Sequence, residues 1–275
     1  MRTILITGCS TGIGLAAARM LKGRGWRVFA TARKAEDVAR LEKTEGLEAL
    51  AMELTDPASI AAGVADVLKR TGGTLDALYN NAGFGTIGAV EDVSADLVRR
   101  HLDVNVVAVH ELSRLVVPVM RKQGHGRIVM CSSALGFVSG PYRGAYCASK
   151  FALEALSDAL RMEVARDNIH VSVIQPGPIE SQFAATAIGT LKDTVDVVGS
   201  VHRVHYEQRI AETEAGGRNK RFKLGTEAVV DKLIHALESP RPKTRYKVGL
   251  PTQGAAILKC VLPDRWLDRI MSRMQ

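Results

Sequence analysis

In the stretch AYCASK, Tyr146 and Lys150 stand four residues apart among small and apolar neighbours. On an α-helix, residues i and i+4 share a face with Cβ atoms about 5–6 Å apart, so a phenol and an ammonium can meet in one site. A free tyrosine, with a pKa of about 10, is a poor base at neutral pH. An adjacent cation favours the phenolate and draws the group toward the range where acid–base catalysis is efficient. A lysine laying its stem along a half-buried tyrosine has the same spacing, so the pair alone leaves both readings open.

A second constellation is TGCSTGIG at 7–14, set between a short β-branched run and a helical pattern. Backbone N–H groups at a helix start favour a phosphate, and glycines let a pyrophosphate come close. The spacing is G-x-x-x-G-x-G, not the commoner G-x-G-x-x-G, and a turn needing glycine only for tight packing reads the same way. At the end of the second strand, where a carboxylate would hold a ribose 2′-hydroxyl, the chain has Thr31, Ala32 and Arg33. Arg33 can pair with a 2′-phosphate, and Ser10 in the loop can donate to the same group. The pattern favours NADP over NAD, against the plainer reading of an exposed arginine after a strand.

These groups need a frame, and the chain supplies a regular one. RTILITG, WRVFATA, LEALAMEL, DALYNNAG, GRIVMCSS, HVSVIQPG and TRYKVGL read as strands, the fourth ending in a tight Asn-Gly turn. Helical patterns lie between them: TGIGLAAARMLKGRG, AEDVARLEK, one opened by Asp56 and Pro57, a long one from about 94 to 123, one from about Gly144, and TEAVVDKLIHALES. Strand–helix alternation with short connections implies a parallel sheet covered on both faces. The expected fold is α/β: one domain over residues 1–275, a Rossmann-type doubly wound parallel sheet of about seven strands flanked by helices. Residues 179–224 break the alternation and are expected to form a helical lid at the carboxyl edge, where open α/β sheets bind ligands. The apolar residues Phe183, Ile188, Leu191 and Val195 in it suit a lipophilic substrate or merely cap the core. The tail from about 252 to 275 reads as two short amphipathic helices broken at Pro263, able to cover the pocket, meet a partner subunit or lie on a membrane surface.

Composition narrows the class further. Hydrophobic residues make up 46% and charged residues 24%, which excludes a disordered chain. No apolar run reaches the roughly 18 residues of a membrane helix, and MRTILITGCS carries no signal-peptide cleavage site. Cys9, Cys131, Cys147 and Cys260 have no CxxC spacing and read as reduced thiols of a cytoplasmic protein. The net charge of +8 favours anionic partners, and Arg218, Lys220, Arg221 and Lys223 cluster. Without interleaved aromatics that cluster reads as a solvated loop, not a nucleic-acid surface. His202 and His205 form the closest histidine pair, but no further ligand completes a set, so no metal is expected. His101 and His110 read as packing or partner-facing positions.

With TGCSTGIG at 7–14, NNAG at 80–83, Asn105 in LDVNVV, SSALG at 132–136, YCASK at 146–150 and PGPI at 176–179, the chain resembles the short-chain dehydrogenase/reductase family. The resemblance covers roughly residues 3–180, with the motifs in the family's order. It implies that Tyr146 is the catalytic acid/base, Lys150 its partner and a holder of the nicotinamide ribose, Ser133 the group that holds the substrate oxygen, and Asn105 part of a proton relay. For the cofactor it implies Gly8, Ser10, Gly12, Ile13 and Gly14 in the loop, the backbone at Leu54, Asn81 after the fourth strand, and Ile179 beside the nicotinamide. Two positions depart from the pattern: Glu53 precedes Leu54 where the family often has Asp, and Thr11 precedes Gly12 where NADP-preferring members are often basic. Arg33 must then supply most of the preference.

TGCSTGIG together with VFATARK is similar to the branch that handles steroids, retinoids and long-chain aldehydes or ketones. A reductase of acyl thioesters or sugars is the other enzymatic reading. A non-catalytic NADP(H)-binding sensor is the reading from another class, although it has no chemical need for Ser133, Tyr146, Lys150 and Asn105 together. The family also implies a homodimer or homotetramer, built on the helices before the fifth strand and after Gly144.

Overall fold

A computed structural model describes residues 1–216 and 222–273. Arg218, Lys220 and Arg221 of the basic cluster lie outside the described residues. Seven strands form one sheet: β1 (Thr3–Ile6), β2 (Arg27–Ala32), β3 (Glu48–Ala51), β4 (Ala77–Asn80), β5 (Gly126–Cys131), β6 (Ile169–Pro176) and β7 (Arg245–Val248). Their order is β3-β2-β1-β4-β5-β6-β7 and every pairing is parallel. The strands are apolar on both faces because both faces are covered. Ile4 and Ile6 point into a core shared with α1 (Gly12–Gly23), α2 (Ala35–Lys43) and α9 (Glu227–Glu238). Leu5 points the other way, into a core shared with α3 (Pro57–Arg70), α5 (Ala108–Gln123) and α6 (Gly144–Glu163). At the start of α3, Asp56 caps the helix by accepting from Ala58 N, with Pro57 in its first turn.

Of two local readings one is refined and one corrected. The region from 94 to 123 is helical, as expected, but not α-helical throughout: α4 (Ala95–Leu102) and α5 are joined by a π-helical turn, Asp103–Val107. Such a turn carries an extra residue, and it buries Asn105 and Val106. The fourth strand does not end in a tight Asn-Gly turn. Residues 81–87 run without an assigned turn, and Asn81 N and Ala82 N both donate to the Thr7 hydroxyl at 3.0 Å. A tertiary contact holds this segment open where local propensity would bend it.

Residues 179–224 include α7 (Phe183–Thr194) and α8 (Arg203–Glu214), pinned at the base where Ile179 bridges Leu224. The two helices bury Ala187, Ile188, Leu191 and Tyr206 against Ile87, and the Tyr206 hydroxyl accepts from Ala89 N at 2.8 Å. The tail forms α10 (Leu250–Val261) and α11 (Asp264–Met271), separated by Pro263. One side packs through Ala255 and Leu267 on Val138, while Leu250, Ile257 and Val261 stay exposed. Among the described residues no helix is long and apolar enough to cross a membrane.

α9 is tied to the β1–β2 edge by Glu238, which takes hydrogen bonds from Arg24, Trp26 Nε1 and Arg2. The Arg24 hydrogen bond foremost, helped by Trp26 and by the charges of Arg24 and Arg2, holds its carboxyl at about 2, against burial, which pushes it up. A carboxyl depressed in the fold stabilises above its ordinary value of 4.5, and that contribution is lost as pH falls toward about 2. Glu238→Gln should therefore lower stability at pH 7 by roughly 1–2 kcal/mol. The gap from wild type should close through that acid window in urea titrations, and a gap independent of pH would refute the linkage.

Candidate active site

β1 is flanked by β2 on one side and β4 on the other, so the chain reverses direction across the sheet at the carboxyl end of β1. An open α/β sheet has its crevice at that point. Residues 7–11 cross it into α1. Gly8 has φ +72° and Gly12 φ +58°, left-handed values that favour glycine. Gly14 lies under the loop: a Cβ there would stand 2.2 Å from the Gly8 carbonyl oxygen and 2.6 Å from Asn81 Nδ2. Asn81 Nδ2 donates to the carbonyls of Thr7 at 2.9 Å and Gly8 at 3.2 Å, binding the loop to the end of β4. The first turn of α1 contains no acidic residue and its N-cap, Thr11, makes no side-chain cap. This positive, closely approachable backbone fits the pyrophosphate of a dinucleotide.

A cleft of about 640 Å³ opens between the loop and residues 180–182, lined by Ser10, Gly12, Asp37, Arg40 and Ser181 among others. Arg40 was not among the residues expected from sequence. It donates to the Ser10 carbonyl at 2.5 Å and pairs with Asp37 at 3.0 Å. Arg33, at the exposed end of β2, does not line this cleft. Its charge acts on Glu53, whose carboxyl is raised by burial but held below the usual range by hydrogen bonds from Thr55 and by Arg33 and Arg100. Ile13 and Ile179 pack on the α1–α9 core and Leu54 on the opposite one.

The catalytic candidates meet across the same edge. Tyr146 and Lys150 lie on one face of α6, 7% and 4% exposed. Lys150 Nζ stands 5.8 Å from the centroid of the Tyr146 ring and donates at 2.8 Å to the carbonyl of Cys131, the last residue of β5. Ser133 caps the 3₁₀ turn Ala134–Gly136, accepting from Leu135 N at 3.1 Å, and its hydroxyl acts on the nearby Tyr146 phenol, favouring the ionised form. Asn105 is fully buried. Its Nδ2 donates to the Phe84 carbonyl and to Ser149 Oγ, both at 3.0 Å, and its Oδ1 accepts from Phe84 N at 3.1 Å. A Cβ on Gly83 would lie 2.9 Å from Asn105 Oδ1 and 3.5 Å from Lys150 Nζ, so both groups border one point.

Electrostatics within this cluster differ from the expectation built on Tyr146 and Lys150 alone. Burial pushes the phenol well up, and the Ser133 hydrogen bond and the Arg143 charge recover only part of the shift. Burial also pushes the Lys150 ammonium down, with Cys131 and Glu154 opposing it. Desolvation outweighs the neighbouring cation here.

Other residues complete the surroundings, among them His101, which the sequence placed as a packing or partner-facing position and which is fully buried. His101 stacks on Phe84 at 4.3 Å and 15°, with its ring 6.4 Å from Tyr146. Burial, then the Lys150 and Arg100 charges, hold it down at about 4, so it is neutral. Glu154, one turn beyond Lys150, accepts from Gln175 on β6 at 2.9 Å and from Arg245 on β7 at 3.0 Å, tying α6 to both strands. His202 and His205 pack around Tyr142, and among the described residues no three His, Cys, Asp or Glu side chains group as a metal site.

A family model described as short chain dehydrogenase matches residues 2–190. Over 270 residues the chain is 41% identical to the uncharacterized oxidoreductase YbbO of Escherichia coli (strain K12), spanning 98% of this chain and 94% of that protein. It is 33% identical over 255 residues to 17-beta-hydroxysteroid dehydrogenase type 1 of Homo sapiens, spanning 88% and 76%. A solved short-chain dehydrogenase from Streptomyces avermitilis superposes with a TM-score of 0.78 at 28% identity, over 94% of this chain and 93% of that one.

Proposed function

The chain belongs to the short-chain dehydrogenase family, and on that premise we propose that it is an NADP(H)-dependent oxidoreductase interconverting a hydroxyl and a carbonyl on a lipophilic substrate. Steroids, retinoids and long-chain aldehydes or ketones are the substrate class. The observation that carries the reading is a buried phenol with a buried lysine one helical turn away, at the same sheet edge as the glycine cradle. One relative, matched over 76% of its own length, is, by its name, a hydroxysteroid dehydrogenase.

Gly8, Ser10, Gly12, Ile13, Gly14, Leu54, Asn81 and Ile179 would hold a nicotinamide dinucleotide, which would supply the hydride when bound. Tyr146 gives its proton to the carbonyl oxygen in reduction and takes it back in oxidation. Ser133 and Tyr146 together aim two hydroxyls at that oxygen, in the manner of an oxyanion hole. A phenol raised by burial keeps its proton at neutral pH, the form from which reduction starts. Lys150 brings the cation that favours proton loss in the other direction and would hold the nicotinamide ribose. Asn105, by fixing Phe84 and bordering Lys150 at Gly83, sets the path by which the phenol is resupplied. Exposed Phe151, Leu156 and Met162 on α6 are the face on which we place self-association.

NADP preference rests on Arg33, with Ser10 and Arg40 at the adjoining cleft. The test is consumption of NADPH and of NADH with a panel of carbonyls of increasing chain length. Turnover should favour NADPH and long or polycyclic carbonyls. Arg33→Asp should reduce the NADPH-to-NADH ratio of kcat/KM at least about tenfold, roughly the 1.4 kcal/mol of one charge-assisted contact. An unchanged ratio moves the phosphate contact to Arg40. Cofactor binding without turnover across the panel would make the protein a sensor.

A further inference from the structure

Residue 85 lies between two aromatic rings. A Cβ on Gly85 would stand 2.6 Å from Cζ and 2.9 Å from Cε1 of Phe183, and 3.5 Å from Cδ2 of Tyr146. Gly85 does not have a left-handed backbone, so what a side chain there would meet is the tip of the Phe183 ring, which would have to move, and not a conformational limit. Phe183 opens α7 and shares its inward ridge with Ala187 and Leu191, which are buried. Its ring centroid is 5.5 Å from that of Tyr146, tilted by 58°, and the residue stays 38% exposed. The ring is thus anchored in the lid yet free of a closed core, directly beside the phenol that we assign to catalysis.

We infer that Phe183, seated in the notch left by Gly85, is the specificity-determining wall against which the substrate's apolar skeleton lies next to the reacting carbon. The inference rests on the oxidoreductase reading and sharpens its substrate class. An aromatic ring offers dispersion and area but no hydrogen bond, so a carbonyl flanked by hydroxyls or amides loses its water without replacement. A carbonyl flanked by methylenes or a fused ring loses nothing and gains contact. Phe84, stacked on His101, adds a second ring near the phenol that offers contact area without a hydrogen bond. The depth of the notch at residue 85 sets how far the Phe183 ring can sink, and hence the width left above the catalytic hydroxyl.

The experiment compares kcat/KM for a long-chain or polycyclic ketone with that for a four-carbon ketone, in wild type, Phe183→Ala, Phe183→Leu and Gly85→Ala. Thermal midpoints and NADPH affinity are followed in each. Phe183→Ala should lower the long-to-short ratio roughly tenfold or more, the scale on which apolar pockets discriminate, and NADPH affinity should stay at the wild-type value. Gly85→Ala, which leaves the ring in the chain but lifts it from its notch, should lower the ratio in the same direction. Phe183→Leu should restore part of it. Turnover with an unchanged ratio in Phe183→Ala and Gly85→Ala overturns this inference alone. Absence of turnover in wild type with every carbonyl overturns the oxidoreductase reading and this inference with it.

Discussion

Tyr146→Phe is expected to lower kcat by about 10²–10⁴, the contribution of a positioned acid–base group, while leaving NADPH affinity and fold stability nearly unchanged. The substitution removes one oxygen and keeps the ring. Contacts with Phe183 and His101 at ring-centroid distances of 5.5 and 6.4 Å therefore survive. Ser133 still accepts from Leu135 N, so its hydroxyl keeps a partner. Any stability lost with the phenol oxygen should stay within about 1 kcal/mol. The glycine cradle is built from Thr7, Gly8, Gly14 and Asn81 and does not touch the phenol. Steady-state rates, quenching of tryptophan fluorescence by NADPH and a thermal melt separate the three quantities. Full activity in the variant would remove Tyr146 from the chemistry.

The fold was legible because each strand announces itself twice. TILI, RVFATA and IHVSVIQP are rich in β-branched and apolar residues and buried nearly throughout, as a sheet covered on both faces requires, and Asp56 with Pro57 or a glycine such as Gly124 bounds adjacent helices. The left-handed Gly8 and Gly12 are equally local: glycine fits such angles wherever the chain adopts them. The i, i+4 spacing of Tyr146 and Lys150 is local too, and it survives as a shared helix face. Pairing between the two was readable; their ionisation was not, because burial is a property of the whole fold.

What stayed hidden depends on partners distant in the chain. Thr7 holds the segment after β4 open across 74 positions, Asn105 meets Ser149 across 44, and Arg245 reaches Glu154 across 91. No window of sequence contains such a pair. The π turn at 103–107 has the same origin: its buried Asn105 is satisfied by Phe84 and Ser149, so a deviation unfavourable to an isolated helix is stabilised by groups outside it. Arg40 is hidden for a different reason. In an exposed amphipathic helix a lone arginine is ordinary, and only the juxtaposition with Ser10 gives it a place in the cleft.

Gly14→Ala should be the most damaging conservative change in the cofactor cradle. By helix propensity alone alanine is favoured over glycine by about 1 kcal/mol, and position 14 is the third residue of α1. Sterics oppose this and win. The new methyl would stand 2.2 Å from the Gly8 carbonyl oxygen, while Gly8 cannot recoil, since its own Cα already lies so close to β4's exit that a Cβ there would be 2.9 Å from Ala82. The loop must therefore move away from Asn81, breaking the bonds of its amide to the Thr7 and Gly8 carbonyls. Overpacking of this kind costs about 1–3 kcal/mol and each lost hydrogen bond about 1 kcal/mol. A net loss of roughly 2–4 kcal/mol, or about 5–10 °C in Tm, is expected. NADPH affinity should fall more than about tenfold, because displaced N–H groups no longer converge on the pyrophosphate. Gly23→Ala, at the other end of the same helix with nothing within 4 Å of the added carbon, is the matched control and should leave Tm unchanged or raise it slightly. Equal stability and equal NADPH affinity in Gly14→Ala and wild type would show that the cradle does not hold the dinucleotide.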